Sequence, residues 1–109
     1  MSGFVFSNSA SLKVAVNKWV ANKNATAATY GDINTWDVSA ISDFSFLFSK
    51  NRIGIIAAEN FNSDISNWDL SSAGSITEMF RGAKLFNQDI SGWNVSYVGS
   101  FDKVIMNAN

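Results

Sequence analysis

Asp32-Ile33-Asn34-Thr35-Trp36-Asp37-Val38-Ser39 returns as Asp64-Ile65-Ser66-Asn67-Trp68-Asp69-Leu70-Ser71 and again as Asp89-Ile90-Ser91-Gly92-Trp93-Asn94-Val95-Ser96. The tryptophans stand 32 and 25 residues apart. A second motif locates the difference. Phe80-Arg81-Gly82-Ala83-Lys84-Leu85-Phe86-Asn87 recurs, stretched, as Phe48 followed by Ala58-Glu59-Asn60-Phe61-Asn62. The basic period is therefore 25 residues, and the first copy carries seven extra residues somewhere within Ser49–Ala57. Self-similarity at a fixed period is the signature of a repeat array.

The copies agree in polarity as well as in motif. Counted from each Trp, apolar residues fall at −3 (Ile33, Ile65, Ile90), +2 (Val38, Leu70, Val95), +5 (Ile41, Ala73, Val98) and +8 (Phe44, Ile76, Phe101). They return at +11 (Leu47, Met79, Val104) and +12 (Phe48, Phe80, Ile105). A step of three excludes one long strand, whose side chains alternate with period two; it fits a tight helical turn, or a coil whose corners turn every third side chain inward. One 25-residue unit cannot close a core alone, whereas stacked units share one. The expected fold class is an α+β repeat, a short leucine-rich-repeat-like solenoid of about three 25-residue right-handed coils with an N-terminal α-helical cap. Each coil is expected to hold a short extended segment at Asp-Ile-Ser, a turn at Trp-Asp and a short helix. Those helices are expected near Asp43–Phe48, Ser75–Phe80 and Ser100–Ile105, with Ser42 or Asp43, and Gly74 or Ser75, as caps.

Ahead of the repeats, Leu12, Val16, Trp19 and Val20 follow the i, i+4, i+7, i+8 pattern of an amphipathic helix over Ala10–Lys23. Ser9 suits its N-cap, Lys18 and Lys23 suit its C-terminal dipole, and Asn24 suits the closing left-handed position. An Ala-rich run then leads to Tyr30-Gly31. The organisation expected is a capping helix and lead-in over residues 1–30, then a three-copy repeat over 31–109 with the insertion inside 49–57.

These residues resemble the BspA-like leucine-rich-repeat surface protein family, whose consensus runs roughly Met-Phe-x-x-Ala-x-x-Phe-Asn-x-Asp-Ile-Ser-x-Trp-Asp-Val-Ser-x-Val-Thr-x-Met. Met79-Phe80 through Asn94-Val95-Ser96 follows it, with Asn94 in place of Asp. Leu12-Lys13, Ala15-Val16 and Trp19, then Tyr30-Gly31-Asp32-Ile33, are similar to the helix that opens such arrays. The departures are the inserted region, Ala73-Gly74 in place of Val-Thr, and a last copy that ends in Met106-Asn107-Ala108-Asn109. The resemblance implies a surface or structural protein of mycoplasmas, other bacteria, or marine microalgae and their viruses, engaged in adhesion or assembly. It supplies no catalytic residues.

Composition excludes much chemistry. Cysteine and histidine are absent from the 109 residues, which removes disulfides, thiolate and imidazole metal ligands, and His-based catalytic triads. Eight basic against nine acidic residues leave no basic surplus for phosphate contacts, so no nucleic-acid partner is expected. No apolar run is long enough to span a bilayer. Met1–Asn8 has no basic start and reads as no signal peptide, leaving a surface layer, a virion or another large assembly as the favoured setting.

The repeated side chains admit two uses. Asp32, Asp64 and Asp89, with Asp37 and Asp69, could offer oxygen ligands to calcium, or could accept backbone amides at the corners as Asx turns; the second is preferred. Trp36, Trp68 and Trp93 could stack on sugars if exposed; their polar neighbours favour burial, each indole N–H meeting a carbonyl. No enzyme activity, cofactor or metal is expected.

Partner contact is expected at two places. Arg52, Ile53, Ile55 and Ile56 lie in the insertion, which reads as a partner-contacting loop or an edge strand. Val98, Phe101, Val104 and Ile105 belong to a last copy with no evident cap, a surface for a protein partner or for self-association. The function expected is a non-enzymatic structural or interaction module; the alternative is a carbohydrate-binding adhesion module, with or without calcium.

Overall fold

Helix α1 (Ser9–Ala21) begins where the Asn8 side chain accepts the Ser11 amide, and it ends at Asn22. The structure, a computed structural model, describes residues 3–99. Asn22 does two jobs. Its amide donates to Lys18 O, closing α1, while its side chain accepts the Ala25 amide and opens α2 (Lys23–Tyr30). The single expected helix over Ala10–Lys23 is thus two, and the expected caps Ser9 and Asn24 lie inside α1 and α2. An Asn that can satisfy the orphan groups of both helix ends makes the break favourable. Gly31, at φ 79°, ends α2 in a conformation that suits a residue without a Cβ. Leu12, Ala15, Val16 and Trp19 form the buried stripe of α1.

From Ile33 to Gly99 the chain is mostly a train of turns. The apolar residues spaced three apart are the ends of those turns: Trp36, Trp68 and Trp93 each donate an amide to Ile33, Ile65 and Ile90. Ile41, Ala73 and Val98 donate to Val38, Leu70 and Val95, and Leu47 and Met79 to Phe44 and Ile76. Each such turn closes between two inward side chains, which is why the apolar step is three. Asx turns fix many of the intervening corners, for the Ser39, Ser45, Ser66, Ser71 and Ser91 amides donate to Asp37, Asp43, Asp64, Asp69 and Asp89.

Equivalent segments of the first two copies lie side by side. Phe44, Phe46, Phe48 and Lys50 donate amides to the carbonyls of Ser75, Thr77, Met79 and Arg81 at 2.8–2.9 Å. This one-sided row does not become a sheet. The amides between those donors turn back locally, and Phe46 and Glu78 sit at equivalent positions with φ 62° and 53°, in the left-handed region that strands avoid. Among the described residues only two isolated bridges remain, Val5 with Asp37 and Asp43 with Ser75.

The expected architecture is therefore corrected. Regular structure among the described residues is helical, with a single 3₁₀ turn at Ile33–Thr35, and the body measures 32 × 30 × 24 Å instead of extending along one axis. Neither an α+β repeat nor a leucine-rich-repeat-like solenoid describes it, because the turns spend locally the amides that strands would have exchanged. The helices expected at Asp43–Phe48 and Ser75–Phe80 are turns for the same reason, and the one expected at Ser100–Ile105 lies outside the described residues.

The insertion is helical as well. Ser49 caps α3 (Lys50–Ile53), Gly54 at φ 96° reverses the chain, and α4 (Ile55–Asn60) follows. Neither the expected open loop nor the expected edge strand forms. Around these elements lies one core, in which Trp36 stacks on Trp68 at 6.4 Å and Phe48 stacks on Phe61 at 4.0 Å and on Phe80 at 5.6 Å.

Candidate functional site

The repeated tryptophans are core residues. Trp36 and Trp68 are only 3% and 2% exposed, and their indole N–H groups donate to the carbonyls of Gly31 and Ile33. Trp93 is half-buried and donates to Ile65 O, repeating one period later the bond of Trp68 to Ile33. Neither Trp36 nor Trp68 has a free ring face for a sugar.

The aspartates are occupied in the same way. The Ser39 hydroxyl and amide hold the Asp37 carboxyl below its ordinary value of 3.8, against a weaker upward push from burial and from Asp69. Asp69 and Asp89 are lowered likewise by the hydroxyls and amides of Ser71 and Ser91, and Asp64 by the Ser66 amide first. Burial acts most strongly on Asp43 and pushes its value up, yet the Ser45 hydroxyl and amide, together with the charge of Lys13, outweigh it. Among the described residues no three carboxylates converge as a metal site would require. The asparagines join neighbouring copies, since Asn34 and Asn62 accept the amides of Asn67 and Asn87.

The insertion divides its four candidate residues. Arg52 points inward: its Nε and Nη2 donate to Leu47 O at 3.0 and 2.6 Å, and its Nη1 donates to Asn17 Oδ1 on α1 at 2.8 Å. Burial lowers its pKa, but a guanidinium stays charged at neutral pH. It clamps the insertion to α1. Ile53 is partly buried against the core. Ile55 and Ile56 face outward from the first turn of α4, 61% and 76% exposed. Of the last-copy candidates, Val98 packs partly against the core, while Phe101, Val104 and Ile105 lie outside the described residues.

Ile56 borders a groove that the linear sequence did not reveal. The groove has a volume of about 500 Å³ and runs between the end of α1 and the chain leaving α4, where Trp19, Val20, Lys23, Ile56, Phe61 and Ser63 meet. Trp19 Nε1 donates to Ser63 Oγ at 3.0 Å and fixes one wall, and Lys23 Nζ stands 5.9 Å from the centre of the Trp19 ring. Trp19 and Lys23 supply one half of this site from either side of the Asn22 break. The other half comes from residues about forty positions later, which periodicity cannot place.

Among the described residues no helix is long and apolar enough to cross a membrane. A family model described as "Mycoplasma protein of unknown function, DUF285" matches residues 19–109. No curated protein and no solved structure matches the chain.

Proposed function

We propose, from the premise that this chain belongs to the DUF285 family of Mycoplasma proteins of unknown function, that it is a non-enzymatic structural and interaction module. Its partner is another protein, and the partner seats on the helical insertion. The observation that carries the reading is Ile56, 76% exposed at the lip of a groove floored by Trp19 and Phe61, with the preceding residue, Ile55, exposed as well. Single exposed apolar residues are ordinary, but one at the edge of a groove floored by aromatic rings, with another exposed beside it in the chain, is the kind of surface that marks a contact. The resemblance of the repeat motif to BspA-like surface proteins favours a surface layer, capsid or large complex as the setting. The carbohydrate alternative loses its stacking platform with Trp36 and Trp68 buried.

Site-specific photo-crosslinking in the cells that make the protein tests this. A photoreactive residue in place of Ile55 or Ile56 is expected to give a discrete protein adduct, and one in place of exposed Ser72 is not. Absence of an adduct at both isoleucines, or equal labelling from Ser72, overturns the reading. Stability controls are simple, because substituting side chains this exposed changes stability by about 0.5 kcal/mol or less.

A further inference from the structure

We infer that the groove between α1 and α4 receives an acidic, apolar segment of the partner protein: an aliphatic or aromatic side chain enters beside Ile56, and a carboxylate meets Lys23. This rests on the reading of the insertion as the docking element. The groove ends at Ile56, and the preceding residue on the same turn, Ile55, is exposed too, so a small ligand in the groove would leave that turn uncovered. A length of chain covers both.

Charge decides which chain. Of the lysines on α1 and α2, Lys13 lies toward Asp43 and Lys18 lines a separate hollow, so Lys23 is the cation at the groove wall. Lys23 has no carboxylate partner among the described residues; its ammonium is placed against Trp19 alone. Glu59, the acid on α4, is paired with Lys84 at 3.2 Å and so offsets little of that field. The remaining polar groups at the walls are neutral, Ser63 Oγ among them, already accepting from Trp19. A basic segment would meet repulsion at Lys23. A neutral one would leave the ammonium without a counter-charge as water is excluded, and an acidic one supplies it.

Selection of a displayed random peptide library on the immobilised full chain tests the inference. Enriched peptides are expected to place Asp or Glu within a turn of Leu, Ile or Phe. Their affinity is expected to fall about tenfold or more in Ile56→Asp, and severalfold in Lys23→Glu. It should also fall when ionic strength rises from about 0.1 M to about 1 M, which shortens the screening length from ~10 Å to ~3 Å. Lys23→Glu places an acid at the first position of α2, where the helix dipole favours it, so lost binding there does not reflect lost folding. Basic or uncharged winners overturn the inference, as do winners that bind both variants undiminished or a library that yields none. Light scattering that shows a dimer abolished by Ile56→Asp also overturns it, since a second copy then fills the groove. An adduct at Ile56 combined with any of the first three results removes the acidic segment and leaves the interaction reading standing. No adduct at Ile55 or Ile56 removes the reading itself.

Discussion

The turn-built copies and the helical insertion solve the same problem in opposite ways. In the copies, polar side chains reach no farther than the next copy: the corner Asp and Asn94 side chains accept amides two residues on, Asn34 and Asn62 accept from the copy that follows, and the apolar ends of each turn point inward. In the insertion, polar side chains reach elements of other kinds, with Arg52 joining Leu47 and Asn17 and Asn51 donating to Glu78, while two of the three isoleucines point outward. A segment that satisfies itself can be repeated anywhere. A segment held by long-range contacts of its own, with isoleucines on the outside, interrupts that repetition. The difference separates what builds the body from what is available to another molecule.

Phe48 is where the two regions join, and its loss has the largest expected effect. It ends the first copy, stacks on Phe61 beyond the insertion and on Phe80 of the next copy, and is fully buried. Phe48→Ala is expected to cost about 3–5 kcal/mol, a large share of the ~5–15 kcal/mol of a domain this size. If the comparison describes two regions on one core, urea unfolding of the variant stays a single transition at a lower midpoint. Two separated transitions would mean that the copies and the insertion fold independently.

Removing the clamp addresses the insertion alone. Arg52→Ala deletes two charge-assisted bonds to Leu47 O and one to Asn17, with an expected cost of about 1.5–3 kcal/mol. Hydrogen exchange is expected to speed up in α3 and α4 and to change little in the turn copies. Arg52→Lys should rescue little, because an ammonium cannot present two parallel donors to one carbonyl and reach Asn17 as well. Uniform acceleration over the whole chain would erase the distinction between the regions.

What could be read from the sequence follows the same division. The inward step of three was legible because turn ends and apolar residues coincide, and the Asp and Trp environments followed from polar neighbours at fixed offsets. The secondary structure that realises the step was not. A period of three is shared by short helices and by consecutive turns, and the left-handed φ at Phe46 and Glu78 that selects turns leaves no mark on residue type. Asn22 read as an interior polar residue, although its side chain splits one helix into two. In the insertion, Ser49 and Gly54 are local signals of a cap and a reversal, yet Ile53, Ile55 and Ile56 read equally well as a strand. The groove was beyond reach, since Trp19 meets Ser63 only through the packed fold.

The smallest expected effect belongs to acid and acts on the copies. Asp37, Asp69 and their equivalents have folded pKa values below the ordinary 3.8, so the folded state holds them ionised more firmly than the unfolded chain does. The sign follows from linkage. Their contribution is fully present above the unfolded value and is lost as pH falls through the lower folded values, so the melting temperature should be flat near neutrality and decline below about pH 4. These carboxyls are largely solvated, so each contributes little and the decline is shared among the corners. Asp37→Asn keeps an oxygen to accept the Ser39 amide, as Asn94 does for Ser96 in the third copy, but cannot titrate. It is expected to melt close to the parent protein at pH 7 and to lose less on acidification. The insertion supplies the contrast, because Arg52 and its acceptors do not titrate in this range: Arg52→Ala should shift the whole melting curve down and leave its acid limb parallel to that of the parent. An Asp37→Asn curve parallel to the parent's through the acid limb would show that the corner does not depend on the charge of its carboxylate.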